Sequence, residues 1–375
     1  MTSEWHEVPL RELVGYISKG IAPSYAEEAS ETTIRVLNQK CNRNFRISYG
    51  DSRLHDTLKK KVPLERYVKP DDILINSTGA GTAGRIAQIE DVPSATTIDG
   101  HMILIRSNGK VTQKFLGYAL KAHQWEILQL DEGSTGQTEL NRDRLLDEIM
   151  INYPVSFDEQ NAIVGTLESI DRKLIVNEQL NDNLQQQAQA IYSSMFIDNP
   201  DPAWSHGHLS DLITVKYGKD HKKLADGIYP VYGSGGIMRY VERPLYNKES
   251  VLIPRKGTLN NVMYVNQPFW SVDTMFYTEM KLPNVAKFVY HFVKAKDLAS
   301  MNAGSAVPSM TTDILNAMEV VIPSASALEE FESLVAPMYE AMEANDVQSK
   351  ALSQMRDTLL PKLMSGEIDV SDIQL

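Results

Sequence analysis

The chain has 375 residues, of which 42% are apolar and 23% charged, and its formal net charge is −12 at pH 7. This composition is typical of a globular protein with room for two domains, and the sequence contains no apolar run long enough to predict a membrane span. A single cysteine excludes an internal disulfide and a zinc site built on several cysteines. With no secretory signal pattern in MTSEWHEVPL, we expect a cytoplasmic protein without a membrane partner.

The negative charge is distributed unevenly along the chain. Residues 156–200 carry seven acidic and two basic side chains, and residues 325–375 carry ten and three, so these segments account for the whole excess. Residues 1–155 and 201–324 are close to neutral. Each of these larger segments can therefore present a basic face to DNA despite the overall charge.

The first large segment mixes strand and helix patterns. Apolar stretches predict strands at 34–38, 73–76, 85–89 and 102–106, and helical spacing predicts helices at 113–123 and 142–147.

A glycine motif, Gly79-Ala-Gly-Thr-Ala-Gly84, follows the apolar run 73–75 and matches the G-x-G-x-x-G pattern of dinucleotide-binding proteins. A pyrophosphate site needs a helix to begin at the third glycine. Here the motif continues into RIAQIE, which alternates polar and apolar residues as a strand does. The pattern favours a strand–turn–strand hairpin, with a nucleotide-binding enzyme as the alternative.

A long helix is predicted next, with a plausible capping box at Ser156 and Glu159. Its apolar residues recur at alternating spacings of four and three. This contact face comprises Ile163, Leu167, Ile170, Leu174, Asn177 and Leu184.

The second large segment again mixes both patterns. It predicts strands at 229–232, 251–254, 262–265 and 275–278, and helices at 284–297 and 311–317.

A second long helix follows, in which Pro337 predicts a kink or the true helix start. Its contact face comprises Phe331, Leu334, Met338, Asn345, Leu352, Met355 and Leu359. Because Asn345 falls near the position that matches Asn177, we expect the two helices to pair polar residues across an antiparallel coiled coil.

The two large segments repeat one another. WHEVPLREL (5–13) matches WSHGHLSDL (204–212), DILINSTG (72–79) matches SVLIPRKG (250–257), and TIDGHMI (97–103) matches SVDTMFY (271–277). Gly133-Ser134 matches Gly304-Ser305 in the same order. The sequence predicts an α+β protein with two similar mixed α/β domains, separated by two long antiparallel helices and related by approximate two-fold symmetry. The predicted boundaries are 1–155 for the first domain, 156–198 for the first spacer helix, 199–323 for the second domain, and 324–375 for the second spacer helix and tail.

Two similar units on a stiff spacer suit duplex DNA with two separated half-sites. A helix of about 40 residues spans roughly 60 Å, which bounds the spacing at about 18 base-pair steps. Polar and basic loop residues are the candidates for contact with bases and phosphates. In the first domain these are Lys40, Arg43, Asn44, Ser77, Thr78, Arg85, Ser134 and Gln137, and in the second Lys216, Ser234, Arg239, Arg255, Lys256 and Asn260.

Four stretches resemble the specificity subunits of type I restriction–modification systems: FDEQNAIVGTLESIDRKLIVNEQL (157–180), YPVYGSGGI (229–237), VLIPRKGTLNNVMYVNQPFWSVDT (251–274) and LLPKLMSGEIDV (359–370). The resemblance implies two target-recognition domains, each reading one half of a bipartite double-stranded DNA sequence. It further implies assembly with two modification subunits, which methylate adenine, and with restriction subunits, which translocate and cut DNA.

The first domain has no equivalent of YPVYGSGG or PRKG, so its reading loops do not follow from the resemblance. Neither metal-binding histidine spacing nor a nucleophile elbow is present, so we expect a non-catalytic chain without cofactor or metal of its own. The partner subunits are expected to use S-adenosylmethionine, ATP and Mg. A specificity subunit that serves a fused methylase–nuclease is the alternative.

Overall fold

The chain is described here from a computed structural model, which covers residues 4–79, 81–132, 139–301 and 309–370. The chain divides into two compact units: unit 1 comprises Met1–Val176 with Gln348–Leu375, and unit 2 comprises Asn177–Val347. No helix within the described residues is long and apolar enough to cross a membrane.

Unit 1 is built on two four-stranded sheets. Its strands are β1 (Trp5–Pro9), β2 (Val14–Lys19), β3 (Tyr25–Ala26), β4 (Thr33–Leu37), β5 (Asn42–Arg43), β6 (Arg46–Ile47), β7 (Arg53–Asp56), β8 (Ile73–Asn76), β9 (Ile86–Gln88), β10 (Thr96–Ile98), β11 (Met102–Ser107), β12 (Asp131–Glu132), β13 (Glu139–Leu140) and β14 (Met150–Pro154). Its helices are α1 (Gln113–Ala122), α2 (Gln124–Ile127), α3 (Arg142–Glu148), the first part of α4 (Phe157–Tyr192) and the last part of α8 (Ala325–Met364). The sheet orders are β2-β11-β8-β9 and β10-β4-β7-β3, and β1 pairs with β14.

Burial on both faces explains the continuous apolar run of β8. Successive side chains of a strand point to opposite faces. Ile73 and Ile75 lie in one apolar core with Phe115 of α1, whereas Leu74 lies in a second core with Leu37 of β4. The strand therefore joins a helix layer to the second sheet.

The glycine motif forms a hairpin, as the alternating pattern predicted. β8 pairs antiparallel with β9, with Ile73 opposite Gln88 and Ile75 opposite Ile86. Gly79 and Gly84 adopt φ values of +116° and +86°, which suit glycine. A strand begins at Ile86 where a pyrophosphate site needs a helix, so the dinucleotide interpretation is wrong.

Unit 2 contains the same kinds of layer. Its strands are β15 (Ser205–His208), β16 (Ile213–Tyr217), β17 (Asp226–Gly233), β18 (Gly236–Val241), β19 (Ser250–Pro254), β20 (Met263–Val265), β21 (Trp270–Ser271), β22 (Met275–Met280) and β23 (Glu319–Ile322). Its helices are the second part of α4, α5 (Leu209–Leu212), α6 (Ala286–Lys294), α7 (Thr312–Asn316) and the first part of α8 (Ala325–Met364). The sheet orders are β16-β22-β19-β20 and β18-β17-β21, and β15 pairs with β23.

The two units repeat one topology. The order β2-β11-β8-β9 in unit 1 corresponds to β16-β22-β19-β20 in unit 2. The parallel pair of β4 and β10 corresponds to the parallel pair of β17 and β21. Most of the other strand pairs are antiparallel, and helices cover the sheets, which agrees with the predicted α+β class.

Within unit 2, α4 and α8 contact each other in antiparallel order. Asn345 Nδ2 donates to Asn181 Oδ1 at 2.8 Å, and Asn177 Nδ2 donates to the Asn345 carbonyl at 3.4 Å. Further along α4, the Tyr192 ring lies 6.2 Å from the ring of Phe331, which precedes Asn345 in α8.

Within unit 1, the remaining parts of the same helices make charged and apolar contacts. Arg356 of α8 donates to Asp171 of α4 at 3.1 Å. Ile163 and Leu167 of α4 share an apolar core with Leu363 of α8. The predicted domain ends stay a prediction, because the compact units divide within the two helices.

The predicted contact face of α8 has the wrong phase at some positions. Leu334 and Met355 are each 47% exposed, whereas Val335 is fully buried and Arg356 is half-buried. The buried residues of α8 begin at Leu328. The next is Phe331, three residues later, and then Val335, four residues after that. Pro337 does not mark the helix start, because α8 begins at Ala325.

The other predicted face positions are less exposed. On α4, Ile163, Leu167, Ile170 and Asn177 are buried, and Leu174 and Leu184 are half-buried; on α8, Phe331 is buried, and Met338, Asn345, Leu352 and Leu359 are half-buried.

The predicted capping box at the start of α4 forms in part. The Glu159 amide donates to Ser156 Oγ at 3.4 Å. The Glu159 carboxylate instead accepts a hydrogen bond from Trp5 Nε1 at 3.1 Å. Trp5 also lies against Gly366, beyond the end of α8, so the tryptophan of the repeated opening motif ties α4 to the chain after α8 in unit 1.

Candidate nucleic-acid interface

Several connections meet at one end of the β2-β11-β8-β9 sheet in unit 1, where β8 ends. We call this end of the sheet its edge. Asn42, in the connection between β4 and β7, donates through Nδ2 to Asn76 Oδ1 at 3.1 Å and to the Arg85 carbonyl at 2.8 Å. Asn76 Nδ2 donates in turn to the Gln39 carbonyl at 3.2 Å. Thr78 bridges to Glu139, at the start of β13. The β4–β7 connection, the β8–β9 connection and the start of β13 therefore form one site.

The corresponding connections meet in unit 2. Asn261, between β19 and β20, donates through Nδ2 to the Ser234 carbonyl in the β17–β18 turn at 2.8 Å. Lys256 bridges to Ser309, and the Met310 amide donates to the Arg255 carbonyl at 2.9 Å. The same edge of the repeated sheet thus carries the same combination of connections.

The β4–β7 connection differs in length between the units. In unit 2 it is the short turn Ser234–Gly235, whereas in unit 1 it extends over 38–52 and contains the small β5–β6 hairpin. Asn44 and Phe45 form the turn of that hairpin, with φ values of 53° and 62°. Asn is favoured at such a turn; the Phe45 ring instead lies 5.0 Å from Lys121 Nζ, which holds it against unit 1. The extra length explains why YPVYGSGG has no counterpart in unit 1.

The predicted unit 1 residues differ in their accessibility. Lys40, Arg43 and Asn44 are exposed on the β4–β7 connection. Thr78 is half-buried, with its hydroxyl oxygen 2.8 Å from His101 Nδ1. Arg85 is half-buried and donates to the Gly81 carbonyl at 3.2 Å.

Three further predicted residues of unit 1 are either buried or outside the described residues. Ser77 is fully buried, and its hydroxyl donates to the Gly100 carbonyl at 3.4 Å, so the structure does not present it to a ligand. The apolar run of β8 ends before Ser77, so the strand pattern does not reveal that this residue is buried. Ser134 and Gln137 lie outside the described residues.

In unit 2, the corresponding edge of the repeated sheet carries Ser234, Arg255 and Lys256. The Arg255 guanidinium lies 5.4 Å from the centre of the exposed Tyr217 ring and donates to the Asp273 carbonyl at 3.3 Å. Lys256 is exposed. Gly257 adopts a φ of +85°, and a Cβ there would lie 2.6 Å from Ser234 Oγ, so glycine permits the two connections to approach closely.

Other predicted unit 2 residues are engaged within the protein. Lys216 forms an ion pair with Glu279 at 3.6 Å. Arg239 donates to the Leu224 carbonyl at 2.8 Å and to Asp226 at 2.9 Å. Asn260 donates to Asp297 at 3.0 Å and accepts from the Ala299 amide at 2.9 Å. These contacts hold loops in place, and of the predicted unit 2 cations Arg255 and Lys256 lie at the edge.

Sequence reasoning missed several residues of the site. Gln39, Asn42 and Asn76 form the hydrogen bonds that fix the unit 1 connections, and their side chains carry no distinctive pattern in the sequence. The exposed lysines Lys222 and Lys223 lie in a KDHKK run whose charge density was a usable signal.

The two edges carry cationic and amide side chains. Burial raises the pKa of the Cys41 thiol, which keeps it protonated at neutral pH and unsuited to act as a nucleophile. Within the described ranges, no group of three or more His, Cys, Asp or Glu side chains could hold a metal ion. Arg, Lys and Asn side chains and exposed backbone amides are the groups that contact phosphates and base edges.

Comparison with known proteins agrees with this chemistry. The family described as the type I restriction modification DNA specificity domain matches residues 2–186 and 203–331. The MjaIX specificity subunit of Methanocaldococcus jannaschii is 24% identical, with 87% of this chain and 84% of the relative covered. A putative type I specificity subunit of Mycoplasma genitalium is also 24% identical, over 67% of this chain and 70% of the relative.

A solved structure shows the same fold. The crystal structure of a type I restriction–modification S subunit from M. genitalium superposes with a TM-score of 0.62 at 19% identity, covering 96% of both chains. The family matches correspond to the repeated topology of units 1 and 2 and together span most of the sequence. The chain belongs to the family of type I restriction–modification DNA specificity subunits.

Proposed function

We propose that this chain reads a bipartite DNA target, one half-site with each unit, and performs no catalysis itself. The observation that supports the proposal best is the repeated edge, where equivalent connections meet in both units. Two edges with one framework and different connection lengths suit two different half-sites. Lys40 and Arg43 in unit 1, and Arg255 and Lys256 in unit 2, supply the cations for phosphate and base contacts.

We further propose that α4 and α8 act as an antiparallel coiled coil that sets the spacing of the half-sites. α4 has 36 residues and α8 has 40, which correspond to about 54 and 60 Å at 1.5 Å per residue. The asparagine contacts of unit 2 support a specified register, since polar pairs at a helix contact face fix register at a cost in stability. The helix lengths set an upper limit on the DNA spacer.

The outer faces of these acidic helices are proposed to bind protein, because their charge repels DNA. On the unit 2 part of the helices, Leu180, Leu334 and Val347 are exposed apolar side chains. Exposed apolar side chains of this kind favour a protein partner. In the proposed assembly the modification and restriction subunits supply adenine methylation, translocation and cleavage, and they use S-adenosylmethionine, ATP and Mg.

Genome-wide mapping of methylated adenines tests this function. A strain that carries the gene is compared with a deletion strain and with a deletion strain complemented by the gene. We expect a two-part motif that disappears on deletion and returns on complementation. Methylation that is unaffected by the deletion would contradict the proposal. A restriction activity that copurifies with the modification polypeptide itself would indicate the fused methylase–nuclease alternative.

A further inference from the structure

The β17–β18 hairpin of unit 2 contains a β-bulge beside its turn. Val231 pairs with Arg239, but the next residue, Tyr232, pairs with Ile237, so Met238 is the extra residue on β18. A bulge of this kind changes the direction of the side chains that follow it. The bulge therefore decides which side chains the hairpin presents near its tip.

The bulge places a cation inward and apolar side chains outward. Arg239 is held by the Leu224 carbonyl and Asp226. Ile237 is 49% exposed and Met238 61% exposed; we call these two residues the apolar tip. A Cβ at Gly233 would lie 2.6 Å from Met238 Sδ, so the Met238 thioether packs closely over the backbone of Gly233.

The apolar tip lies beside the proposed DNA-binding edge. Ser234, in the turn of the same hairpin, contacts Gly257 and accepts a hydrogen bond from Asn261 through its carbonyl. Exposed Lys256 immediately precedes Gly257. The apolar tip is therefore adjacent to a cation that can contact a phosphate.

Lysines also lie in the loop that follows β16. The Lys219 amide donates to the Ser271 carbonyl at 2.8 Å, and Ser271 pairs with Tyr232 of β17. Lys222 and Lys223 follow in the same loop and are exposed. Asp220, which lies among them, accepts a hydrogen bond from the Lys222 amide at 3.0 Å. Exposed lysines near a small apolar surface fit a polyanion that has apolar groups between its charged edges.

We propose that the apolar tip enters the major groove of one half-site and contacts the 5-methyl group of thymine. This inference rests on the proposed function and adds a class of base to it. The major groove admits a two-stranded β-ribbon, and the thymine methyl is the apolar feature of its base edges. Ile237 and Met238 supply apolar contact, while Lys256 positions the ribbon on the phosphates.

The test replaces thymine by deoxyuridine, which removes the methyl group and keeps the base pair. Binding of the complex with its modification subunits is measured by fluorescence anisotropy on the mapped target, with each thymine replaced in turn. The wild-type complex should bind about four-fold more weakly at one thymine of one half-site, as expected for the loss of one buried methyl contact.

The double variant Ile237→Ala/Met238→Ala should not show this loss. Ile228→Ala is the matched control, because Ile228 is 78% exposed on the same hairpin but lies far from its turn, and it should keep the wild-type response. Circular dichroism of all three proteins checks that the fold is retained.

The outcomes separate this inference from the function on which it rests. A bipartite target whose binding is indifferent to deoxyuridine at every thymine would overturn the inference alone. The same holds if the double variant keeps the wild-type loss. Absence of any bipartite target would reject the proposed function, and the inference with it.

Discussion

At the scale of single residues, His291 of α6 is the clearest example of an environment that sets a charge state. It is fully buried in unit 2, with Nδ1 2.8 Å from Gln189 Oε1 of α4 and Nε2 3.0 Å from the Tyr339 hydroxyl of α8. Because an amide oxygen only accepts, Nδ1 carries the proton and Nε2 accepts from Tyr339. Burial, aided by the charge of Lys294, lowers the pKa of His291 to about 4.

This pKa predicts an acid-dependent loss of stability. Between about pH 4 and 6.5 the unfolded chain binds a proton that the folded chain does not, so stability falls as the pH falls. From pH 7 to pH 5 the contribution of His291 is about 2 kcal/mol. Thermal unfolding across this range should show a smaller pH dependence for His291→Gln than for the wild type. The exposed His206→Gln control should keep the wild-type dependence, and an equal dependence in all three proteins would exclude this role for His291.

Asp171 on α4 is a second residue whose neighbours determine its state. In unit 1 it accepts hydrogen bonds from Lys121 at 2.9 Å, Tyr118 at 3.0 Å and Arg356 at 3.1 Å. Burial acts to raise the pKa of Asp171, but these partners outweigh it and leave the pKa below its ordinary value. The carboxylate therefore joins α1, α4 and α8.

Removal of that carboxylate charge should destabilise unit 1. Asp171→Asn leaves Lys121, whose side chain is 10% exposed, without its counter-charge. Since both partners keep some contact with solvent, we expect a loss of about 2 kcal/mol, below the range for a fully buried pair. Chemical denaturation measures it, with the exposed Asp182→Asn as control. Equal midpoints for the two variants would show that the network contributes little.

At the scale of elements, sequence patterns predicted the strands whose residue pattern follows from burial. They missed the short strands and the side-chain directions that depend on local contacts. β8 and β19 were predicted because both faces of each strand are covered, which produces continuous apolar runs. Two-residue strands such as β5 and β13 carry no periodicity and were not predicted. Arg239 was predicted from the sequence to be a surface cation, yet the bulge in β18 directs its side chain inward.

The phase of α8 illustrates the same limit. The spacing placed Leu334 on the contact face, but Leu334 and the adjacent Val335 are both apolar, so periodicity alone cannot distinguish them. The structure buries Val335 and exposes Leu334. The assignment matters for function, because it moves an apolar side chain to the proposed partner surface.

This exposed leucine provides a test of assembly. Leu334→Lys should weaken binding to the modification subunits by roughly ten-fold or more, as expected for the loss of a buried leucine contact. Leu334→Met keeps the apolar surface and should bind as the wild type does. Titration calorimetry with the purified modification subunit gives the affinities. Unchanged binding of Leu334→Lys would remove this part of α8 from the interface.

At the scale of the whole molecule, the chain is one topology used twice. Matches at Trp5 and Trp204, and at the strands β8 and β19, were visible in the sequence because they are core and sheet positions. The β4–β7 connection and its short counterpart in unit 2 were not aligned by sequence, since loop length varies freely once the ends are held by a sheet. The structure, and not the sequence, therefore shows which connections meet at the two edges.

The most direct test of the central claim compares the adenine methylation motifs of three strains. One carries the wild-type gene, one Lys40→Ala/Arg43→Ala in unit 1, and one Arg255→Ala/Lys256→Ala in unit 2. Independent reading by the two units predicts an interrupted wild-type motif, in which each variant weakens or relaxes a different half and leaves the spacer and the other half unchanged. An uninterrupted motif, or a variant that alters both halves alike, would contradict the account.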